Sequence, residues 1–348
     1  MNQHVMTDTM KQWTLKDVGR ANLGLVSAAV PAPAEHEILV KVSAVSLNYR
    51  DLLLIEDGLG FAAKADPFVL GSDAAGVVVA AGAAVTRFKP GERVISTFIP
   101  GWIDGPGFGT AREPNYRTLG GAMQGVLSEY IVLDQGWAVK APESLNDVEA
   151  STLPCAGLTA WTALVERGRL HAGQTVVVQG TGGVALFGLQ IAAAHGADVI
   201  VVSGDDDKLE RAKALGARHG INRKKEDWVE AVYRLTGDRG ADHILEIVGG
   251  AHLGRALQAA AVFGRVSLIG VFEGFDISGH FAPLALKHLT VEGIQVGHRK
   301  ALEDFVRAID QTGIKPVVDA EYAFADLPAA LDHLARGPFG KIVMNMPG

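Results

Sequence analysis

Two rhythms of apolar and polar residues run along this chain. Up to about residue 140 the period is two. "HEILVKVSAVSL" (36–47) alternates and is rich in Val and Ile, and "GVVVAAGAAVTRFKPGERVIS" (76–96) reads as strand, turn and strand, with "KPGE" as the turn. From about Leu145 the pattern changes to short apolar runs alternating with helical stretches. "TVVVQG", "ADVIVVSG", "ADHILEIVGG" and "RVSLIGV" are the apolar runs. "GVALFGLQIAAAHG", "DDDKLERAKALGA" and "HLGRALQAAAVFG" are the helical stretches. This alternation predicts a parallel sheet covered on both faces, with "RVSLIGV" as its last strand and an apolar edge. After about Leu289 the pattern is mixed, ending in "ALEDFVRAIDQTG", "PVVDAEYAF", "LPAALDHLARG" and "KIVMNM".

Composition narrows the function classes. The 348 residues suffice for about two domains, and 48% hydrophobic with 20% charged residues is ordinary for a globular protein. A net charge of −7 without any basic block argues against nucleic acid or an anionic membrane as partner. One cysteine, Cys155, excludes an intrachain disulfide framework and a Cys-rich zinc module. The start, "MNQHVMTDTMKQW", lacks the apolar core of a leader. The most apolar stretch, "VLGSDAAGVVVAAGAAV", is interrupted by Asp73. The expectation is a soluble, cytoplasmic protein acting on a small molecule. The long Gly/Pro-rich segment "FIPGWIDGPGFGTAREPNYRTLGGAMQG" around Trp102 reads either as a surface loop or as a lid.

The sharpest motif is Gly180-x-Gly182-x-x-Ala185, directly after a predicted strand and opening a predicted helix. Gly180 allows the tight turn, Gly182 lets the backbone approach a pyrophosphate, and Ala185 allows close helix–strand packing. With Thr181, Gly183 and Val184 it makes a dinucleotide loop, the helix N-terminus facing phosphate. The next strand ends at Ser203–Gly204, with Lys208 and Arg223 nearby in sequence and no carboxylate at the tip. That favours NADP(H) over NAD(H). Asp205, Asp206 and Asp207 read as helix capping and first-turn charge, or as a ribose ligand. Gly249, Gly270 and Val271 end strands at the carboxyl edge, where cofactors lie.

With "VSLNYRDLL", "VLGSDAAGVV", "FKPGERV", "LPCAGLTAW", "GTGGVALFGLQ" and "FGKIVM" in this order, the chain resembles the medium-chain dehydrogenase/reductase superfamily nearly end to end. It is most similar to the zinc-free branch of quinone oxidoreductases and enoyl reductases. The resemblance implies an α/β protein: a central Rossmann domain inside a split, β-rich GroES-like catalytic domain. The joins are expected to give 1–140, 141–290 and 291–348. In zinc-dependent members three positions hold the catalytic metal, and these read Asn48, Ser72 and Cys155 here. Such a set does not supply the Cys and His ligands zinc prefers, so no metal is expected. Cys155 reads either as a small residue near the nicotinamide or as a plain core cysteine.

The resemblance puts Asn48 and Tyr49 at the cleft facing the nicotinamide, as neutral donors to a substrate carbonyl. Asn48 with Asp51 also reads as a capping box. Thr159 resembles a position beside the nicotinamide carboxamide, or is a helix threonine. His298 and Arg299 of "VGHRK" lie where relatives carry small residues near the cofactor, or are surface residues. The function expected is zinc-independent, NADPH-dependent reduction of a quinone or an α,β-unsaturated carbonyl. The alternatives are an alcohol/aldehyde dehydrogenase and an NADPH-binding protein with little turnover. The apolar sheet edge, paired across a two-fold axis in relatives, leads to the expectation of a homodimer.

Overall fold

Residues 8–58, 68–107 and 109–347 are described by the computed structural model. The leader reading falls partly on residues 1–7, which lie outside the described residues, as does Phe108 of the Gly/Pro segment. Among the described residues no helix is long and apolar enough to cross a membrane.

The chain forms two units, one of residues up to Cys155 together with His298–Gly348, the other of Ala156–Gly297. These joins fall later than those expected at 140/141 and 290/291. Arg93 is the reason for the first. Its guanidinium donates to Asp147 Oδ1 and to Leu145 O, both at 2.8 Å, and its carbonyl accepts from Ala141 N–H at 3.0 Å. Residues 141–155 are thereby tied to the first unit.

The first unit is built on a seven-stranded sheet. Its order is Val318–Ala323, Lys341–Asn345, Glu37–Leu47, Asp73–Ala81, Arg93–Ser96, Ala138–Lys140, and Tyr130–Asp134 pairs with Glu37–Leu47 off this path. A three-stranded sheet orders Leu23–Ala29, Thr9–Leu15 and Phe68–Val69. The central strand sends Ile38, Val40 and Val42, then Val45 and Leu47, into one core with Trp13, Leu54 and Ile342. The register slips between Val42 and Ala44, so the inward set changes parity there, as a bulge requires. Lys341–Asn345 pairs antiparallel with this strand, Ile342 opposite Leu47, which brings Lys341 to the level of Asn48. Gly340 (φ 102°) makes the approach possible, since a Cβ there would sit 2.3 Å from Val317 O.

The Trp102 segment is anchored in this unit. The N–H groups of Arg299 and Lys300, opening the helix Arg299–Thr312, donate to Trp102 O (2.9 Å) and Ile103 O (3.0 Å). His298 caps the helix by accepting from Ala301 N–H at 2.9 Å, and its ring meets Trp102 edge-on at 5.7 Å. Arg299 is held by Gly136 O and Glu303. His298 and Arg299 are thus structural parts of this corner.

The second unit carries six parallel strands in the order His219–Asn222, Asp198–Ser203, Thr175–Gln179, Ala241–Glu246, Ala260–Leu268, Thr290–Gly293. In chain terms this is third, second, first, fourth, fifth, sixth, a doubly wound Rossmann sheet with its switch point between the first and fourth strands. Val176, Val177, Val178, Val199, Ile244 and Leu245 are fully buried, as strands covered on both faces must be. The edge assigned to "RVSLIGV" is corrected. Residues 265–268 end the fifth strand, Ile269–Val271 lie beyond it, and Thr290–Gly293, too short to show a period, covers the edge. The helix read through Gly264 stops at Ala259, and Phe263 turns there with φ 63°.

Candidate active site

In the second unit the first strand stops at Gln179, and Gly180 turns the chain with φ 78°. Thr181 is buried beside it. The helix Gly183–Ala194 is capped by Gly182, with no side chain bonded to its first turn. A Cβ on Gly182 would meet nothing within 4 Å. First-turn N–H groups have no partner inside a helix, and with open space at Gly182 and no side-chain cap, those of Gly183 and Val184 are suited to hold a pyrophosphate. Ala185 is buried, and the helix also comes close to the sheet at Gly188, where a Cβ would fall 2.4 Å from Leu245 Cδ1.

Gly249, Gly270 and Val271 come together at the carboxyl edge. A Cβ on Gly249 would lie 2.8 Å from Gly270 O and 3.1 Å from Val271 Cα. A carboxylate overlooked in the sequence, Glu246, holds this turn. Its Oε1 accepts from the N–H groups of Val248 (2.8 Å) and Gly249 (3.0 Å). Its Oε2 accepts from Gln179 Nε2 (3.0 Å) and faces His252 Nδ1 (2.9 Å). One buried acid thus ties the strand end beside Gly180 to the turn at Gly249. Its only signal in the sequence is an acidic residue closing an apolar strand.

At the tip of the second strand Ser203 is buried, and its carbonyl accepts from Arg223 N–H at 2.9 Å. Asp205 caps the helix Asp206–Ala214 through Lys208 N–H at 3.1 Å. Asp206 accepts from Asn222 Nδ2 (2.7 Å) and Lys225 Nζ (2.6 Å). Both carboxylates are turned to protein donors. Lys224, also overlooked, lays its stem along Gly204, where a Cβ would sit 2.9 Å from Lys224 Cε. Lys224 therefore lies against Gly204, Arg223 is joined to Ser203 through its backbone, and Lys208 opens the next helix with its N–H on Asp205. Thr159 is buried in the short helix Leu158–Trp161.

The first unit gathers Asn48, Ser72, Asp73, Cys155 and Lys341. Asn48 caps the helix Tyr49–Asp57, and Asp51 Oδ2 accepts from Asn48 N–H at 2.7 Å in capping-box geometry. Tyr49, one residue on, is 37% exposed. Asn48 Oδ1 accepts from the Lys341 ammonium at 2.6 Å, and Asn48 Nδ2 donates to Ser72 Oγ at 3.3 Å. Ser72 Oγ donates to Asp73 Oδ1 at 2.7 Å, and Asp73 Oδ2 accepts from Cys155 N–H at 3.0 Å. Lys341 also donates to Leu47 O at 2.5 Å.

Burial raises the Asp73 carboxyl, with Lys341 opposing the shift. Burial likewise lowers the Lys341 ammonium against the pull of Asp73. Burial, reinforced by Asp73, pushes the Cys155 thiol far up. A neutral amide, a hydroxyl and a thiol beside an ammonium do not fit zinc. Among the described residues no group of three His, Cys, Asp or Glu side chains is arranged to hold a metal ion.

Residues 34–143 match the alcohol dehydrogenase GroES-like domain, and residues 183–311 match the zinc-binding dehydrogenase domain. A zinc-type alcohol dehydrogenase-like protein of Schizosaccharomyces pombe is 36% identical over 318 residues, 89% of this chain and 91% of that protein. The quinone oxidoreductase of Rattus norvegicus is 26% identical over 90% of this chain and 91% of its own length. A solved structure from Sinorhizobium meliloti 1021, provisionally named an alcohol dehydrogenase, is 62% identical. It superposes with a TM-score of 0.95 over 98% of this chain and 100% of that one.

Proposed function

The chain belongs to the medium-chain dehydrogenase/reductase superfamily and is an NAD(P)H-dependent oxidoreductase; from that premise we propose that it is a zinc-independent, NADPH-dependent reductase of quinones or α,β-unsaturated carbonyls. The observation that carries the proposal is the Lys341 ammonium bonded to Asn48, the side chain at a metal-ligand position of zinc-dependent members. A dication placed there would meet a neutral amide whose oxygen is already bonded to Lys341, in place of the Cys that zinc prefers.

NADPH, when bound, supplies a hydride from its nicotinamide. The protein's part is to bind the cofactor and to stabilise charge on the acceptor. Gly180–Val184 offers backbone N–H groups to the pyrophosphate. Lys208 and Arg223, with Lys224 beside Gly204, offer positive charge to a 2′-phosphate. Asn48 and Tyr49 are neutral donors, suited to a carbonyl whose developing charge is already delocalised by conjugation. Tyr49 or water returns the proton. We also propose a homodimer. Phe263, Phe272, Phe275, Phe281 and Leu286 are each more than half exposed in the second unit, an apolar surface of the kind that partners cover. Light scattering at micromolar concentration checks this, and a monomer overturns it.

Turnover on a panel of enones, quinones, aldehydes and alcohols tests the main reading, with elemental analysis of the same sample. The expected result is faster reduction of an enone or quinone with NADPH than oxidation of any alcohol with NADP+, and no stoichiometric zinc after dialysis. Preferred alcohol oxidation, or one tightly held zinc per chain, overturns it. The name given to the 62% identical relative makes alcohol/aldehyde oxidoreduction the second reading.

A further inference from the structure

The backbone pairing of the first and fourth strands of the Rossmann sheet ends at Val178 and Leu245. One position further, where the strands part at the switch point, stand two polar side chains, Gln179 and Glu246, 3% and 0% exposed. Burying such a pair costs free energy that apolar side chains would not. Gln179 Nε2 donates to Glu246 Oε2 at 3.0 Å, while Gln179 Oε1 has no partner among the described residues. The hold on this amide is therefore the bond across the switch point. Glu246 is bonded on both oxygens and at its backbone. Its Oε1 accepts from Val248 and Gly249 N–H, its Oε2 also meets His252 Nδ1, and its carbonyl accepts from Ile269 N–H (2.8 Å) and Gly270 N–H (3.2 Å). The ends of three strands thus converge on one acid. The Gly180 turn leans on the same place, since a Cβ there would sit 3.6 Å from Ile247 Cδ1. In a sheet of this order a dinucleotide lies across these strand ends.

We propose that Gln179 and Glu246 are a pair of positioning residues for the cofactor: their bond sets the separation of the Gly180 turn from the turns at Gly249 and Gly270. It thereby sets the fit of the part of the dinucleotide that spans them, the pyrophosphate and the nicotinamide ribose. Both side chains are too buried to touch the cofactor and act through the backbone of these turns. The adenosine end, at Ser203–Gly204 on the second strand, lies outside their reach. The inference rests on the dinucleotide reading of the Gly180–Val184 loop and not on the identity of the acceptor.

A partner swap tests it, read by calorimetric titration of the full chain with NADPH and with adenosine 2′,5′-bisphosphate, which lacks the spanning part. Gln179→Glu sets two carboxyls face to face across the 3.0 Å contact. At pH 8 it is expected to weaken NADPH binding about tenfold or more, with bisphosphate affinity within about twofold of wild type. In the double variant Gln179→Glu with Glu246→Gln, the amide and the carboxylate exchange sides. The amide oxygen still accepts from Val248 and Gly249, and a neutral His252 accepts at Nδ1 in its other tautomer. NADPH affinity is expected to return to within about threefold of wild type. Losses that merely add in the double variant, or a parallel loss of bisphosphate binding, overturn the proposal. Should Gln179→Glu not fold, Gln179→Leu decides, because it removes the tie without repulsion. NADPH binding about fivefold weaker with bisphosphate binding unchanged is expected, and full NADPH affinity overturns the proposal. If the wild type binds NADH more tightly than NADPH, the NADPH reading fails by itself, and the same series with NADH and AMP decides the role of the pair. A wild type that binds neither dinucleotide overturns the loop reading and this inference with it.

Discussion

Acid should loosen the second unit through His243. This imidazole lies inside the parallel sheet on the strand Ala241–Glu246, 4% exposed, level with Val176 and Arg265. Its Nε2 meets Gln174 Oε1 at 3.1 Å, and its Nδ1 has no hydrogen-bond partner among the described residues. An amide oxygen only accepts, so Nε2 carries the proton and Nδ1 is bare. Burial pushes the pKa down from 6.5 to about 4. Between those values the unfolded chain binds a proton that the folded chain refuses. Stability is therefore complete above pH 6.5 and is lost as pH falls through 4. At 1.36 kcal/mol per unit the loss comes to about 3 kcal/mol.

Asp51 in the first unit has the opposite sign. Burial raises its carboxyl to about 6, so its contribution is complete below pH 4 and lost as pH rises through 6. A wild-type profile mixes the two effects, and a difference profile separates them. Urea unfolding of wild type and His243→Leu at constant ionic strength, from pH 7.5 down to 4, is the assay. Losing the Gln174 bond gives the variant a constant offset. On top of it the difference should move in the variant's favour by about 3 kcal/mol between pH 6.5 and 4. A pH-independent difference would refute the assignment of His243 as a buried neutral base.

Gly270→Ala should lower Tm by several degrees and weaken NADPH binding, because its Cβ would lie 1.8 Å from Ile247 O and the two cofactor-edge turns must part; overpacking of this kind costs about 1–3 kcal/mol. Gly182→Ala, whose methyl meets no protein atom within 4 Å, should leave Tm nearly unchanged and act on cofactor affinity alone. By fluorescence titration NADPH should bind at least about tenfold more tightly than NADH, a gap of about 1.4 kcal/mol. Arg223→Ala with Lys224→Ala should erase most of it; a preference that survives both places the discrimination elsewhere.

What the sequence disclosed was set by local spacing. The strand before Gly180, the helix after Gly182 and the caps at Asn48 and Asp205 each need only a few consecutive residues, so pattern alone locates them. Features assembled across the fold left no such trace. A lysine at the head of "KIVMN" looks like any surface lysine until pairing with Leu47 brings it to Asn48. Glu246 looks like a strand terminus until Gln179 and His252 converge on it. Thr290–Gly293 is too short to carry a period, which is why the sheet appeared to end one strand early. Lys224 sits in a run of charge that reads as solvated surface, and only the bare face of Gly204 gives it a place.

The pairing of Lys341 with Asn48 also sets an order in time. During synthesis the amide emerges early, while its ammonium partner is 293 residues behind it. The strand that delivers the ammonium joins the sheet beside Glu37–Leu47 only after the whole dinucleotide unit has been made. A ribosome-bound chain stalled short of residue 341 contains all of Ala156–Gly297 but not the lysine that Asn48 bonds. Cofactor binding and turnover should therefore arise at different chain lengths, and the gap between them would time the closing of the first unit's sheet.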